Sequence, residues 1–132
     1  MRIYRRFSPV LFVSAALLVL ASCVSTPPII PEGLSPAELV QKAQNASDRN
    51  KYENAIAYYQ AILDRYPQDL SASVGAEYEI AFIRYKQKKY DDSKLRFRNL
   101  LSRYEGTDAA LLPAQYKILS EKVLGKMELE KK

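Results

Sequence analysis

Between Asn50 and Pro67 the chain reads NKYENAIAYYQAILDRYP, and its apolar residues Tyr52, Ala55, Ile56, Tyr59, Ile62, Leu63 and Tyr66 recur three and four positions apart. That spacing puts them on one face of an α-helix. Pro67 has no backbone N–H and disfavours helix in the residue before it, so the helix is expected to close near Arg65 or Tyr66. A shift of 38 residues lays KKYDDSKLRFRNLLSRYEG, residues 88 to 106, on this segment. Tyr52 then meets Tyr90, Tyr59 meets Phe97, Ile62 meets Leu100, Tyr66 meets Tyr104, and the small Ala55 meets the small Ser93. A fixed-period echo of this kind predicts a helical array in which pairs bury their apolar faces against neighbours.

The remaining elements follow from the same signals. Ser35, Pro36 and Glu38 form a capping box that starts a helix carrying Leu39, Val40, Ala43 and Ala46 and ending in the polar corner from Asp48 to Lys51. Such a short connection makes antiparallel neighbours. A third helix is expected from about Ser71 to Gln87, with a buried stripe of Val74, Tyr78, Ala81, Phe82 and Tyr85. A fourth runs from Tyr90 to Tyr104 and is expected to stop at Gly106 in a positive-φ conformation. The offset continues into a fifth helix beginning at Pro113, pairing Tyr78 with Tyr116, Ile80 with Ile118, Ala81 with Leu119 and Tyr85 with Val123. The expected fold is all-α: a domain over residues 35–126 of two helix pairs and a C-terminal capping helix, followed by a charged tail over 127–132. The pattern resembles the tetratricopeptide repeat, and its longer period calls for a longer helix or a longer inter-repeat turn.

Arg2, Arg5 and Arg6 precede an apolar run from Phe7 to Ala21. This reads as a secretory signal over residues 1–22, too short and with too early a proline, Pro9, for a comfortable transmembrane span. Leu20, Ala21, Ser22 and Cys23 then resemble the lipobox of bacterial lipoproteins. There Leu20, Ala21 and Ser22 serve signal-peptidase recognition, and the Cys23 thiolate takes a diacylglyceryl group. These covalent acyl groups are the only cofactor expected. Cys23 is also the single cysteine of the chain, so no internal disulfide is available. The next ten residues, VSTPPIIPEG, are rich in proline and turn formers and read as a flexible tether, giving a lipidated segment over 23–34.

Composition narrows the chemistry. Loss of the three signal arginines takes the formal charge from +5 to +2, which makes nucleic acid a poor partner. With no histidine, and four glycines scattered at 33, 75, 106 and 125, the chain offers neither an imidazole base nor a phosphate-cradling loop, and no enzyme or small-molecule substrate is expected. Asp91 and Asp92 suit a helix N-terminus. Glu77 and Glu79 lie two apart, point to different faces, and make no metal site. Tyr58, Tyr59, Tyr78, Tyr85 and Tyr116 are either inter-helix packing or the lining of a peptide groove. The packing reading weighs more for Tyr59; Tyr58, off the main stripe, stays open. Eight basic residues fall between Arg84 and Arg103 against two acids. They are either a solvated face or a dock, through Arg96, Arg98 and Arg103, for an acidic partner or anionic headgroups.

A lipobox cysteine, a proline-bearing tether and AIAYYQAILDRYP in a two-pair array together resemble the N-terminal part of the BamD (YfiO) family of outer-membrane assembly lipoproteins, over about residues 23 to 119. The resemblance implies a lipid-anchored scaffold on the periplasmic face of the outer membrane. Its partners would be the assembly barrel protein or unfolded barrel substrates. The same motifs also suit a repeat adaptor of another envelope machine, such as a pilus-secretin pilotin or a cell-wall synthesis coordinator.

Overall fold

The computed structural model describes residues 26–130; the expected signal segment, the lipobox and Cys23 lie outside them. Five helices follow in order: α1 (Pro36–Asp48), α2 (Tyr52–Arg65), α3 (Leu70–Lys86), α4 (Tyr90–Arg103) and α5 (Ala114–Leu129), with a 3₁₀ turn at Ala109–Leu111. Each helix packs on the next, and α3 also touches α1 and α5. No helix of the described residues is long and apolar enough to cross a membrane.

The entry to α1 is the predicted capping box. Ser35 Oγ accepts from Glu38 N, and the Glu38 carboxylate accepts from Ser35 Oγ at 2.7 Å and from Ser35 N at 2.9 Å; the hydroxyl bond first and the backbone bond second hold that carboxyl below the usual range. The residues before it are less free than a tether over 23–34 would be. Arg65 donates to the carbonyls of Pro31 and Ile30 at 2.8 and 3.2 Å, and Tyr66 donates to that of Leu34 at 2.6 Å. Ile30 and Leu34 pack on the first core.

The helices α2 and α4 start and stop at the positions the 38-residue offset predicts, and so do the ends of α1 and α3. The longer period has a single source: α3 has 17 residues where α1 has 13, one extra turn at its N-terminus, started by the Asp69 carboxylate accepting from Ala72 N.

Both helix pairs turn the same corner. Asn50 N donates to Ser47 O and Lys51 N to Ala46 O, while Lys88 N donates to Tyr85 O and Lys89 N to Arg84 O. These are paired Schellman closures, with Asn50 and Lys88 in the left-handed region at φ 57° and 61°. Gly106 is a correction. It does not take a positive φ; α4 instead unwinds through successive bonds from Tyr104, Glu105 and Gly106 N–H to Leu101, Ser102 and Arg103 carbonyls. That 3₁₀ ending satisfies the last carbonyls without a left-handed residue.

Lys88 is the costlier of the two corners, because a left-handed residue with a Cβ costs about 1–2 kcal/mol and asparagine tolerates the region better. Glycine carries about 0.5–1 kcal/mol of extra chain entropy. Lys88→Gly is therefore expected to stabilise the protein by about 0.5–1 kcal/mol, seen as a higher urea midpoint with an unchanged slope. A lower midpoint would contradict the left-handed corner.

Two cores sit on either side of α3. Ala76, Ile80 and Ile83 join Leu39, Ala43, Ala55, Tyr59 and Ile62 in the first, whereas Val74, Tyr78 and Ala81 join Phe97, Leu100, Leu112 and Met127 in the second. The sequence stripe for α3 covers only the second side. Ala55 and Ser93 are fully buried, and Ser93 also donates to the Ala81 carbonyl at 2.9 Å, tying α4 to α3.

In α5 the structure moves a boundary. The helix runs to Leu129 and buries Met127 to 2% exposure, so residues 127–129 belong to α5 and not to a charged tail that starts at 127. Its other face stays open: Ile118 is 64% exposed where its repeat equivalent Ile80 is 2% exposed. Leu111 and Leu129 are exposed as well.

Candidate functional site

The first helix of each repeat, α1, α3 and then α5, borders one groove of about 290 Å³. From α1 come Ala37, Val40 and Gln44. From α3 come Ala72, Gly75, Ala76 and Glu79, and Tyr116 forms the α5 wall. The small side chains at 72, 75 and 76 are what leave the space. A Cβ on Gly75 would stand 2.8 Å from the Tyr116 hydroxyl oxygen, so glycine is what allows the Tyr116 ring this close to α3.

Tyr59, from α2, also lines the groove although it is 2% exposed. Burial, reinforced by the Glu79 charge, pushes its phenol well above the usual range, so it keeps its proton throughout the physiological range. Burial likewise raises the Glu79 carboxyl, with the Lys86 charge opposing. Asp69 is a second carboxylate on the rim, already accepting from Ala72 N. The lining contains no lysine or arginine.

The five tyrosines singled out in the sequence part company here. Tyr59 and Tyr116 reach the groove. Tyr78 is core: its ring lies 5.5 Å from Tyr116, 5.7 Å from Phe97 and 5.9 Å from Phe82. Tyr85 stands away from the groove, its ring between Phe82 and Tyr90 at 5.9 and 5.8 Å, with the Lys126 ammonium above it. Tyr58 borders a different recess with Lys42, Arg49 and Lys51. Tyr52 and Tyr90, read as repeat packing, are half-buried against the two cores.

The basic segment is largely matched internally. The Arg84 guanidinium lies 2.7 Å from Glu53 and 3.2 Å from Asp92, the latter through a Nε that is close but not aligned as a hydrogen bond. Gln87 and Arg84 together hold the Glu53 carboxyl below its usual range. Arg96 pairs with Asp92 at 2.9 Å and Arg103 with Glu77 at 2.7 Å. Arg96 and Arg103 border a second recess of about 210 Å³ with Leu63, Ile80 and Leu100. Arg98 is exposed and takes no part in it, because two residues along a helix turn the side chain to another face. The three arginines therefore do not form one docking surface.

Gly75 and Glu79 were missed as site residues. The signal for Gly75 was its place inside a helical pattern, where an isolated glycine asks for a packing reason. Glu79 gave no local signal. Among the described residues no group of three or more His, Cys, Asp or Glu could hold a metal.

Repeat-equivalent corners, a shared central helix and two cores define a tetratricopeptide-type helical array, a class of protein-interaction scaffold. The tetratricopeptide repeat family model matches residues 39–69, which take in most of α1, all of α2 and the turn that follows. The chain is 40% identical over 99 residues to an uncharacterized protein of Treponema pallidum (strain Nichols), covering 74% of this chain and 40% of that one. It thus spans about two fifths of that relative's length. No solved structure matches the chain.

Proposed function

We propose that this chain is a lipid-anchored adaptor that holds segments of partner proteins in the groove across α1, α3 and α5. On this reading Cys23 carries the acyl chains and fixes the array to the periplasmic face of the outer membrane. The partners are unfolded barrel substrates or the barrel protein of the assembly machine. The observation that carries the reading is the groove itself: a floor of small residues with a tyrosine wall and a polar rim of Gln44, Asp69 and Glu79, bordered by the first helix of every repeat. Such a lining suits an extended segment that adds side chains to preformed pockets.

A photo-crosslinking residue at Gln44, an exposed position on the groove, tests it in intact envelopes. The expected result is capture of a barrel protein or its unfolded precursor, with no such capture from Gln115, an exposed α5 position outside the groove lining. Cys23→Ala should remove the protein from the membrane fraction and abolish that product, because the two or more acyl chains are the anchor. Capture of a secretin or a peptidoglycan synthase would instead assign the adaptor to another envelope machine. Membrane retention of the Cys23→Ala protein in processed form would refute the anchor.

A further inference from the structure

We propose that the groove selects segments presenting a lysine or arginine side chain, which docks on Glu79. The inference rests on the peptide-binding reading of the groove above and names the chemistry of what enters it.

Charge distribution is the first observation. The chain has 20 basic residues against 15 acids, yet the groove lining holds two carboxylates, Asp69 and Glu79, and no cation. Asp69 is engaged as the cap of α3. Glu79 has no hydrogen bond or ion pair within the protein among those formed by the described residues.

The nearby cations are committed elsewhere. Lys86 lies two turns further along α3, donates to Ser47 Oγ at 3.2 Å and sits over the Tyr52 and Phe82 rings at 5.3 and 5.8 Å. Arg84 serves Glu53 and Asp92, and Arg103 serves Glu77. An ionised carboxylate that is partly withdrawn from water and unpaired is costly, and burial accordingly raises its proton affinity. A ligand cation removes that cost by forming a charge-assisted hydrogen bond. Tyr116 adds an aromatic wall to the same space, which also favours a cation over an apolar or anionic group. A volume of about 290 Å³ is near the lower limit of ligand pockets, roughly 300 Å³. It therefore takes a side chain or two of an extended segment rather than a folded surface.

Three short fluorescein-labelled peptides of alternating serine and leucine, with lysine, glutamine or glutamate at the centre, test this by fluorescence anisotropy on the full chain in detergent. The lysine peptide is expected to bind about tenfold more tightly than the glutamine peptide, a difference of about 1.4 kcal/mol. The glutamate peptide should bind weakest. Glu79→Gln keeps the side chain's shape and removes the charge, so it should erase the lysine preference while the glutamine peptide binds as before. Equal binding of all three peptides, or a lysine preference that survives Glu79→Gln, overturns the inference and leaves the groove reading standing. No binding by any peptide, together with no crosslink from Gln44, overturns both.

Discussion

Phe97→Ala is expected to lower the unfolding free energy by about 3–5 kcal/mol, a large part of the roughly 5–15 kcal/mol available to a domain of this size. Phe97 is fully buried and sits in the second core against the Tyr78 ring at 5.7 Å. Truncation leaves a void between α3 and α4 that Val74, Ala81 and Leu100 cannot close without moving a helix axis. Because a repeat array is held by nearest-neighbour interfaces, the loss should concentrate in α3 to α5. Urea unfolding gives the total, and amide exchange gives its distribution, with α1 and α2 keeping more of their protection. A loss below about 0.5 kcal/mol, the range of an ordinary surface substitution, would remove Phe97 from the core and with it the register that equates it with Tyr59.

Met127→Ala should cost about 2 kcal/mol, the lower end for a buried methionine, because a site near the end of the last helix can partly collapse. The reference is its exposed neighbour: Glu128→Ala should stay within about 0.5 kcal/mol. Met127 is 2% exposed and belongs to the second core with Phe97 and Leu112. Equal effects of the two substitutions would return residues 127–130 to the status of a solvated tail. A clear difference establishes that the last turns of α5 help to hold the groove wall, since Tyr116 stands on the same helix and on the same inward side.

These two residues stand differently to the sequence. Phe97 was legible because its stripe repeats that of α2, residue for residue. Met127 was hidden in KMELEKK, where charge density outweighs one apolar residue, and only its register with Tyr116, Val123 and Leu124 on the inner face of α5 could have found it. The fifth helix also keeps Ile118 and Leu119 in the open, although the pattern treats them like the buried Ile80 and Ala81. Periodicity reports which residues share a face; it does not report whether a neighbour covers that face.

The sequence by itself determined the number of helices, their order, the capping box at Ser35, the stop before Pro67 and the equivalence of Ala55 with Ser93. Each depends on interactions within a few residues or on a repeated apolar face, and both are written in local spacing. Only the tertiary structure decided that α3 is buried on two sides, that Tyr85 and Tyr58 face away from the groove, and that Arg96 and Arg103 are paired with Asp92 and Glu77. It also decided that Lys88 rather than Gly106 takes the left-handed conformation. Lysine has no local preference for that region, so the corner is imposed by the packing of α3 on α4. The groove belongs to this second class. Gly75, Glu79 and Tyr116 lie as far as 41 positions apart, and it is the stacking of the first helices that places them around one space.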